Sequence, residues 1–577
     1  MGKQSRAYNH PELKWRSFET EHFVINYHEG TERTAGEVAH IAEQIYGPIT
    51  ALYNYEFEDK IHLIIRDDDD YANGITYYYD HKIMIWATSM DFEFRGTHDW
   101  LWNVITHEFT HMVSLNAARK TYRQIPAFYF QYIGYQKEKR PDVFIGYPNR
   151  LVSYPLPMTV IPMWFAEGTA QYQTPDRSYD SWDSHRDMIL RMGVLEENML
   201  GYDEMCTFGK TGQGNEQVYD HGFGLVRYIA DTYSPENLSK LCRAMRPLWR
   251  ANFDGALKRV LGKSGEELYK DWKADMRHKY EAVKQQRGEV VEGRVLADAG
   301  YLNIHPTWSP DGKSLVYLSN EGSDYRVLSL YRMSFPDHKV KRIASGVNSP
   351  PSWSTDGKKI VYSKRSRPNR HGSRFNDVYV YDVQKRKEKR LTHDLRAKDP
   401  ALSPDGERIV FVSNRDGNNN LGIMRADGSE ITYVTKNEDG TQYYSPRWSP
   451  DGRWILFSVS KGDERDIAMI ASDGSDFQYV IASPGDDRDP CWTPDGKEII
   501  FSSDVDRIFN LYSYSTEEER ISRITNVLGG AFMPSYSSKG QIAYASYHST
   551  GYRVCVLPDT VDRHEVAFPG SYPLEVF

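Results

Sequence analysis

The distribution of apolar and polar residues divides the chain into a first part with mixed elements and a second part built from strands. Short apolar runs of the β type predict four strands in the first part, at residues 22–27, 60–65, 75–79 and 82–86. Residues 31–53 repeat their apolar positions with a helical period, and helical patterns dominate from residue 100 to a charged run at 266–286. We therefore predict an α+β domain over residues 1–287, with a small sheet followed by helices.

The second part repeats variants of one phrase, Pro-x-Trp-Ser-Pro-Asp-Gly, whose copies follow one another at intervals of 44 to 49 residues. Its six copies, the last of them degenerate, end at Gly312, Gly357, Gly406, Gly452, Gly496 and Gly540. Pro and Gly favour a tight turn here, and a β-rich run follows each copy. A period of about 45 residues with about four strands per unit predicts an all-β, six-bladed propeller over residues 288–577, with an open β-solenoid as the alternative. Residues 289–298 are expected to supply the outer strand that closes the last blade against the first.

These phrases resemble the WD40-like repeats of TolB-type propellers, and the resemblance covers roughly residues 290–577. It implies an exported bacterial protein, periplasmic or extracellular, whose signal peptide has been removed. By analogy with propellers attached to other hydrolases, this one is expected to bind a protein partner or to restrict access to a cleft.

The charge balance and the cysteine content exclude several classes of protein. With 71 basic and 80 acidic residues, the formal net charge is −9, which disfavours a nucleic-acid partner because such proteins usually carry a basic surface. The four cysteines are widely scattered and form no Cys-x-x-Cys pair, so we expect neither a disulfide framework nor a thiolate metal site. No apolar run approaches the roughly 20 residues that span a bilayer, so no transmembrane segment is predicted.

The chemistry is concentrated in short segments, of which the first is His-Glu-Phe-Thr-His, from His107 to His111, within a helical apolar stripe. Residues four apart share one face of a helix, with Cβ atoms about 5–6 Å apart, so both imidazoles can bind one zinc ion. Glu108 then lies beside the ion, where it can take a proton from a water molecule that zinc has made acidic. A catalytic zinc needs a third protein ligand, and Glu167, on a second helix, is the candidate. Gly168 would let this helix approach the first one closely.

The order of motifs along the first part resembles the gluzincin metallopeptidases of the peptidase MA superfamily, over roughly residues 17–285. His-Glu-x-x-His is followed by Trp-x-x-Glu-Gly and then by Tyr-x-x-Gly-Phe at the start of an apolar helix. The resemblance implies a zincin-type fold with one zinc ion per chain, with His107, His111 and Glu167 as ligands and Glu108 as general base. It also implies that Tyr219 stabilises the oxyanion of the tetrahedral intermediate, and His221 is a rival for that role.

Two features depart from the zinc aminopeptidases of this superfamily. His111 and Glu167 are far apart in the sequence, which indicates an insertion between the ligand helices, and no Gly-x-Met-Glu-Asn segment is present to anchor a free substrate amine. We therefore expect endopeptidase rather than exopeptidase action. By the same resemblance, the strand at 82–86 is expected to pair with extended substrate backbone.

For one further segment three roles stay open, and for another we expect no binding site. The insertion at 120–162 is rich in aromatic residues and proline, and it is a lid beside the cleft, a surface that docks on lipid or on the propeller, or a loop that covers the domain's own core. The four consecutive carboxylates at 67–70 cannot all face one cation, so we expect a solvated turn there.

Together these observations predict a multidomain protein, a zinc-dependent metallopeptidase that acts on a peptide or protein substrate and carries a propeller. One alternative is a binding or scaffold protein of the bacterial envelope whose zinc domain is catalytically silent. Another is a zinc hydrolase that acts on something other than peptides.

Overall fold

The computed structural model describes residues 10–122, 128–134, 150–156, 159–173, 182–209, 211–250, 252–323, 325–558 and 560–569. An α/β region comes first in the chain, and an all-β propeller follows it. Among these residues, no helix combines the length and the apolar composition that crossing a membrane requires.

The first region contains one mixed sheet. Its strands are β1 (Trp15–Glu19), β2 (Phe23–His28), β3 (Ile61–Arg66), β4 (Gly74–Tyr77) and β5 (Lys82–Trp86). Their order is β1-β2-β3-β5-β4; the three inner strands are parallel, and the two edge strands are antiparallel to their neighbours. The four predicted strands and the predicted helix, α1 (Glu32–Tyr53), are confirmed. The sequence did not predict β1, whose five residues are all exposed, so burial imposes no apolar pattern on it.

Helices make up most of the rest of this region, as predicted. They are α2 (Trp100–Ala117), α3 (Met163–Tyr172), α4 (Ser184–Leu195), α5 (Gly212–Tyr233), α6 (Glu236–Ala244), α7 (Asp254–Leu261) and α8 (Gly265–Arg287), with a 3₁₀ turn at Glu204–Cys206. Within the insertion, β6 (Phe128–Gly134) and β7 (Arg150–Leu156) form an antiparallel hairpin. The three roles considered for the insertion rest largely on residues outside those described.

The propeller consists of six antiparallel sheets. A first strand, β8 (Arg294–Ala297), precedes them in the chain. Blade 1 contains β9 (Asn303–Trp308), β10 (Ser314–Ser319), β11 (Ser329–Ser334) and β12 (Lys339–Ser345); blade 2 contains β13 (Ser352–Trp353), β14 (Lys359–Arg365), β15 (Asn376–Asp382) and β16 (Lys387–Arg390). Blade 3 contains β17 (Ala397–Leu402), β18 (Arg408–Arg415), β19 (Asn418–Arg425) and β20 (Thr432–Tyr433); blade 4 contains β21 (Gln442–Trp448), β22 (Trp454–Lys461), β23 (Glu464–Ala471) and β24 (Gln478–Ile481). Blade 5 contains β25 (Asp487–Trp492), β26 (Glu498–Ser503), β27 (Asn510–Ser515), β28 (Ile521–Arg523) and β32 (His564–Glu565); blade 6 contains β29 (Ala531–Tyr536), β30 (Ile542–His548) and β31 (Gly551–Leu557).

The repeated phrase forms the turn between the first two strands of each blade. In blade 1, the Ser309 hydroxyl donates to the Asp311 carboxylate at 2.7 Å, and Gly312 has a φ of +62°, which glycine adopts without strain. The aromatic position joins neighbouring blades, since the ring N–H of Trp448 in blade 4 donates to the carbonyl of Ala401 in blade 3 at 3.1 Å. The phrase therefore both closes a turn and links one blade to the next.

The strand β8 closes the ring by pairing with β31, so that it becomes the outer strand of blade 6. This confirms the closure predicted from residues 289–298 and excludes the open solenoid. The helix α8 ends at Arg287, so only residues 288–293 separate the helices from the closing strand.

The acidic run at 67–70 is not a solvated turn, and that expectation is wrong. Arg396 of blade 3 donates to Asp67 and to Asp70 at 2.7 Å each, and these two carboxylates are only 6% and 3% exposed. Arg365 of blade 2 donates to Asp69. The run is therefore an interface between the α/β region and the propeller, formed by partners some 300 positions away that no local pattern reveals.

Candidate metal centre

The helix α2 presents the two predicted histidine ligands. The carboxylate of Asp99 caps the helix by accepting the N–H of Trp102 at 3.3 Å. Eight apolar side chains of the helix are buried in the core, namely Trp100, Leu101, Val104, Ile105, Phe109, Met112, Val113 and Ala117. Because the core fixes the orientation of the helix, the imidazoles of His107 and His111 are directed together toward α3.

The helix α3 presents Glu167, and glycines allow it to lie very close to α5. A Cβ atom on Gly168 would lie 2.3 Å from the carbonyl oxygen of Gly222, and one on Gly222 would lie 2.4 Å from the carbonyl oxygen of Trp164. Gly168 thus serves the approach to α5 rather than the expected approach to α2. The expectation was wrong because the sequence does not show which neighbour this face of α3 meets.

The donor atoms of the three predicted ligands converge. The Nε2 atoms of His107 and His111 are 3.1 Å apart, and Oε2 of Glu167 lies 3.3 Å from the first and 3.1 Å from the second. Zinc–ligand bonds of about 2.0–2.1 Å at tetrahedral angles would separate ligand atoms by about 3.3 Å. The donor triangle therefore fits the ligand set of one zinc ion, with a fourth position left for solvent or substrate.

The negative charge of Glu167 suits a cation. Burial by itself would raise the pKa of Glu167, but His111 and His107 outweigh it and hold that pKa well below its usual range. Burial would likewise lower the pKa of His111, and the charge of Glu167 reverses the direction, so that this pKa is raised. Glu167 is thus a buried, ionised carboxylate.

Glu108, the predicted general base, is held by a residue that the sequence analysis did not identify. The hydroxyl of Thr76 on β4 lies 2.7 Å from Oε2 of Glu108 and 2.7 Å from its carbonyl oxygen. Gly74 opens the space beside it, since a Cβ atom there would lie 2.7 Å from the Glu108 side chain. A threonine in a strand is common, so only the contact between β4 and α2 shows what Thr76 does.

The strand expected to pair with substrate is not at the edge of the sheet. Lys82–Trp86, β5, is paired on one side with β3 and on the other with β4, so it offers no free backbone groups. Among the described residues, β4 pairs with β5 alone, and it is the strand that touches Glu108. The prediction for β5 was wrong because the short strand β4 lies outside it.

Tyr219 on α5 faces the ligand helix. Its ring lies 6.3 Å from the ring of His107 and stacks on Phe208 at 5.5 Å. The guanidinium of Arg95 lies 4.9 Å from the centre of the Tyr219 ring and is bound to Glu216, one turn earlier on the same helix. Burial and then the charge of Glu167 raise the pKa of Tyr219 well above its ordinary value, so its hydroxyl is a donor at neutral pH.

His221 is not brought into this group. It is fully buried, with its ring 6.1 Å from the ring of Trp272 on α8. Burial lowers its pKa to about 4, which describes a neutral histidine in a core. Of the two residues expected to compete for the oxyanion role, Tyr219 lies beside His107, whereas His221 packs against Trp272.

A second group of potential metal donors, Glu21, His22 and Glu43, lies at the surface of the same region. The ring of His22 stacks on Tyr46 at 3.7 Å and is hydrogen-bonded to Glu43 at 2.6 Å. These contacts account for the group as a hydrogen-bonded surface cluster.

Comparison with known proteins places the second part of the chain in a fold family. A family model described as "TolB beta propeller domain" matches residues 293–444 and 440–566, just under half of the chain. A stretch of 71 residues is 37% identical to the Uncharacterized protein Atu1656 of Agrobacterium fabrum (strain C58 / ATCC 33970), and it covers 12% of this chain and 24% of that protein. The match thus spans about a quarter of that relative's length.

Several solved structures are similar to just under half of the chain. TolB from Acinetobacter baumannii is 18% identical, with coverage of 46% of this chain and 72% of that chain and a TM-score of 0.36. A putative TolB from Agrobacterium tumefaciens is 21% identical, with coverage of 47% and 100% and a TM-score of 0.34. An oligogalacturonate lyase from Vibrio parahaemolyticus is 14% identical, with coverage of 46% and 81% and a TM-score of 0.34. The family match and the six observed blades together identify residues 293–566 as a TolB-like six-bladed β-propeller.

Proposed function

We propose that the protein is a zinc-dependent metallopeptidase of the gluzincin type, with one zinc ion per chain. The observation that carries this proposal is the triangle of His107, His111 and Glu167, whose donor atoms are 3.1 to 3.3 Å apart. Together with Glu108 and Tyr219, these three residues form a set of side chains suited to hydrolysis.

Each side chain has a definite task in this proposal. A zinc ion held by the three ligands would supply the Lewis acid that polarises a carbonyl and makes water acidic near neutral pH. Glu108 accepts the proton of the attacking water and returns it to the leaving amine, while Thr76 holds the Glu108 carboxylate in place. The hydroxyl of Tyr219 donates to the oxyanion that develops on the substrate carbonyl.

A peptide substrate is favoured by the position of β4. An edge strand can accept an extended peptide through backbone hydrogen bonds, and β4 carries the residue that contacts Glu108. The missing Gly-x-Met-Glu-Asn segment favours endopeptidase action.

The propeller and the location of the protein belong to the same proposal. A TolB-like propeller supports a role in binding a protein partner or in controlling access to the cleft, and the resemblance to TolB supports export to the periplasm or beyond the cell.

The test is to incubate the purified protein with a peptide library in the presence and absence of a chelator, using both free and N-acetylated peptides. We expect cleavage that the chelator abolishes and zinc restores, in acetylated as well as free peptides. The matched control is Glu108→Gln, which should retain one zinc per chain and lose activity by about 10²–10⁴-fold, the usual contribution of general acid–base catalysis.

Zinc at one per chain without cleavage of any peptide would contradict the proposal and favour the silent binding protein. Full activity of Glu108→Gln would refute the assigned base. Cleavage confined to peptides with a free amino end would replace endopeptidase with exopeptidase action.

A further inference from the structure

The segment from Asp91 to Arg95, between β5 and α2, joins the propeller to the candidate site. Asp91 lies 3.2 Å from Arg465 of blade 4 and 3.4 Å from Lys398 of blade 3. Glu93 accepts from Arg326 of blade 1 at 2.9 Å. Cationic side chains from three separate blades therefore meet this one short segment.

An aromatic cluster anchors the same segment. Phe94 is fully buried, with its ring 5.5 Å from Tyr552 and 6.1 Å from Tyr547, both of blade 6. The Tyr552 hydroxyl also donates to the backbone carbonyl of Glu93. Aromatic burial and these hydrogen bonds hold the backbone of the segment on the propeller.

The next residue, Arg95, reaches the candidate site. Its guanidinium donates to both carboxylate oxygens of Glu216, at 2.5 and 3.2 Å, and lies 4.9 Å from the centre of the Tyr219 ring. Glu216 and Tyr219 are three residues apart on α5 and so share one face. A planar guanidinium bound at two points has little freedom, and it fixes the ring over which it lies.

We propose that Arg95 is a positioning residue for Tyr219 and that the propeller, through Glu93 and Phe94, holds Arg95 in place. In this arrangement the propeller is a structural part of the active site. The inference rests on the proposed function, because the ring that Arg95 positions is the proposed oxyanion donor.

The test compares two arginine variants on this path with a matched variant elsewhere on the interface. Arg95→Met removes the contact with Tyr219, and Arg326→Met releases Glu93. Arg365→Met breaks a different ion pair between the propeller and the α/β region, that with Asp69, which leads to no residue of the site.

We expect Arg95→Met to lower kcat by about 10- to 100-fold, as expected for a misplaced catalytic group, with zinc content and KM nearly unchanged. Arg326→Met should lower kcat in the same direction, and Arg365→Met should leave it unchanged. Arg95→Lys keeps a cation beside Glu216 and should recover part of the rate. Wild-type kcat in Arg95→Met, or equal losses in Arg326→Met and Arg365→Met, would overturn the inference.

A readout that does not depend on activity separates this inference from the proposed function. With 3-fluorotyrosine incorporated at Tyr219, the fluorine resonance should shift or broaden on Arg95→Met and Arg326→Met but not on Arg365→Met. An unchanged resonance on Arg95→Met overturns the positioning role even in an active enzyme. If the wild-type protein shows no chelator-sensitive cleavage, the proposed function is refuted. The fluorine resonance still decides whether Arg95 positions the Tyr219 ring.

Discussion

Two polar side chains that are only two positions apart on α5 have opposite surroundings. Successive residues of an α-helix are turned by about 100°, so residues two apart point to nearly opposite sides. Tyr219 lies beside the histidines of α2, whereas His221 lies against Trp272 of α8. A difference of two positions in the sequence therefore separates a candidate catalytic group from a packing group.

The consequence can be measured with two conservative substitutions. Tyr219→Phe should retain zinc and lower kcat by about 10²–10³-fold, the usual effect of removing one oxyanion donor. His221→Phe is its matched control, and its kcat should stay near the wild-type value because the imidazole contacts no group of the site. Steady-state kinetics with zinc analysis checks both, and the reverse pattern would transfer the oxyanion role to His221.

At the scale of elements, the crossing of α3 and α5 decides where the third ligand lies. Gly168 and Gly222 place the two backbones in direct contact, and Glu167 precedes one of these glycines. Because both partners at the crossing are backbone, neither can move aside for a larger residue. The position of Glu167 thus depends on glycine, which has no side chain, at both places where the helices touch.

We predict that Gly222→Ala destabilises the protein by about 1–3 kcal/mol or more, as overpacking does, and weakens zinc binding by displacing α3. The control is Gly36→Ala in α1, where a Cβ atom would meet nothing within 4 Å; it should be neutral or stabilising by about 0.5–1 kcal/mol. Thermal denaturation and zinc titration measure the two effects. Unchanged zinc affinity in a folded Gly222→Ala protein would show that α3 is not held by this contact.

At the scale of the whole molecule, charged groups connect the two regions at several places. One of them is His548 of blade 6, which lies 3.1 Å from Glu196 at the end of α4 and 2.9 Å from Glu292 beside the closing strand. Burial would lower the pKa of His548, but the two carboxylates outweigh it and raise this pKa to about 9. Arg553 opposes the shift without cancelling it.

This pKa predicts how stability depends on pH. A histidine whose pKa rises from about 6.5 in the unfolded chain to about 9 in the folded one stabilises the fold fully below pH 6.5, and the contribution is lost as the pH rises through 9. We expect His548→Gln to lower the melting temperature most at pH 6, by the equivalent of about 1–3 kcal/mol, and progressively less toward pH 9.5. Melting curves of both proteins across this range are the measurement. A difference that stays constant with pH would contradict the assigned ion pair.

The parts of the molecule that could be predicted from the sequence are those that depend on local spacing. The spacing of His107 and His111 placed both on one face of α2, and the six copies of the repeated phrase predicted the number of blades. The positions of Thr76 and Arg95 could not be predicted, because each contacts a residue more than 30 positions away whose neighbourhood only the folded chain creates. The acidic run at 67–70 was misjudged for the same reason.

The pairing of β8 with β31 has a consequence for how the protein can be divided. A chain that started after Ala297 would contain every strand of blades 1 to 5 but would leave the outer edge of blade 6 with unpaired N–H and C=O groups. Such an edge pairs readily with other chains and promotes aggregation. The strand that completes blade 6, β8, follows α8 in the chain and precedes the first repeat. An isolated propeller can therefore be produced in a closed form only if it keeps residues that precede its first repeat.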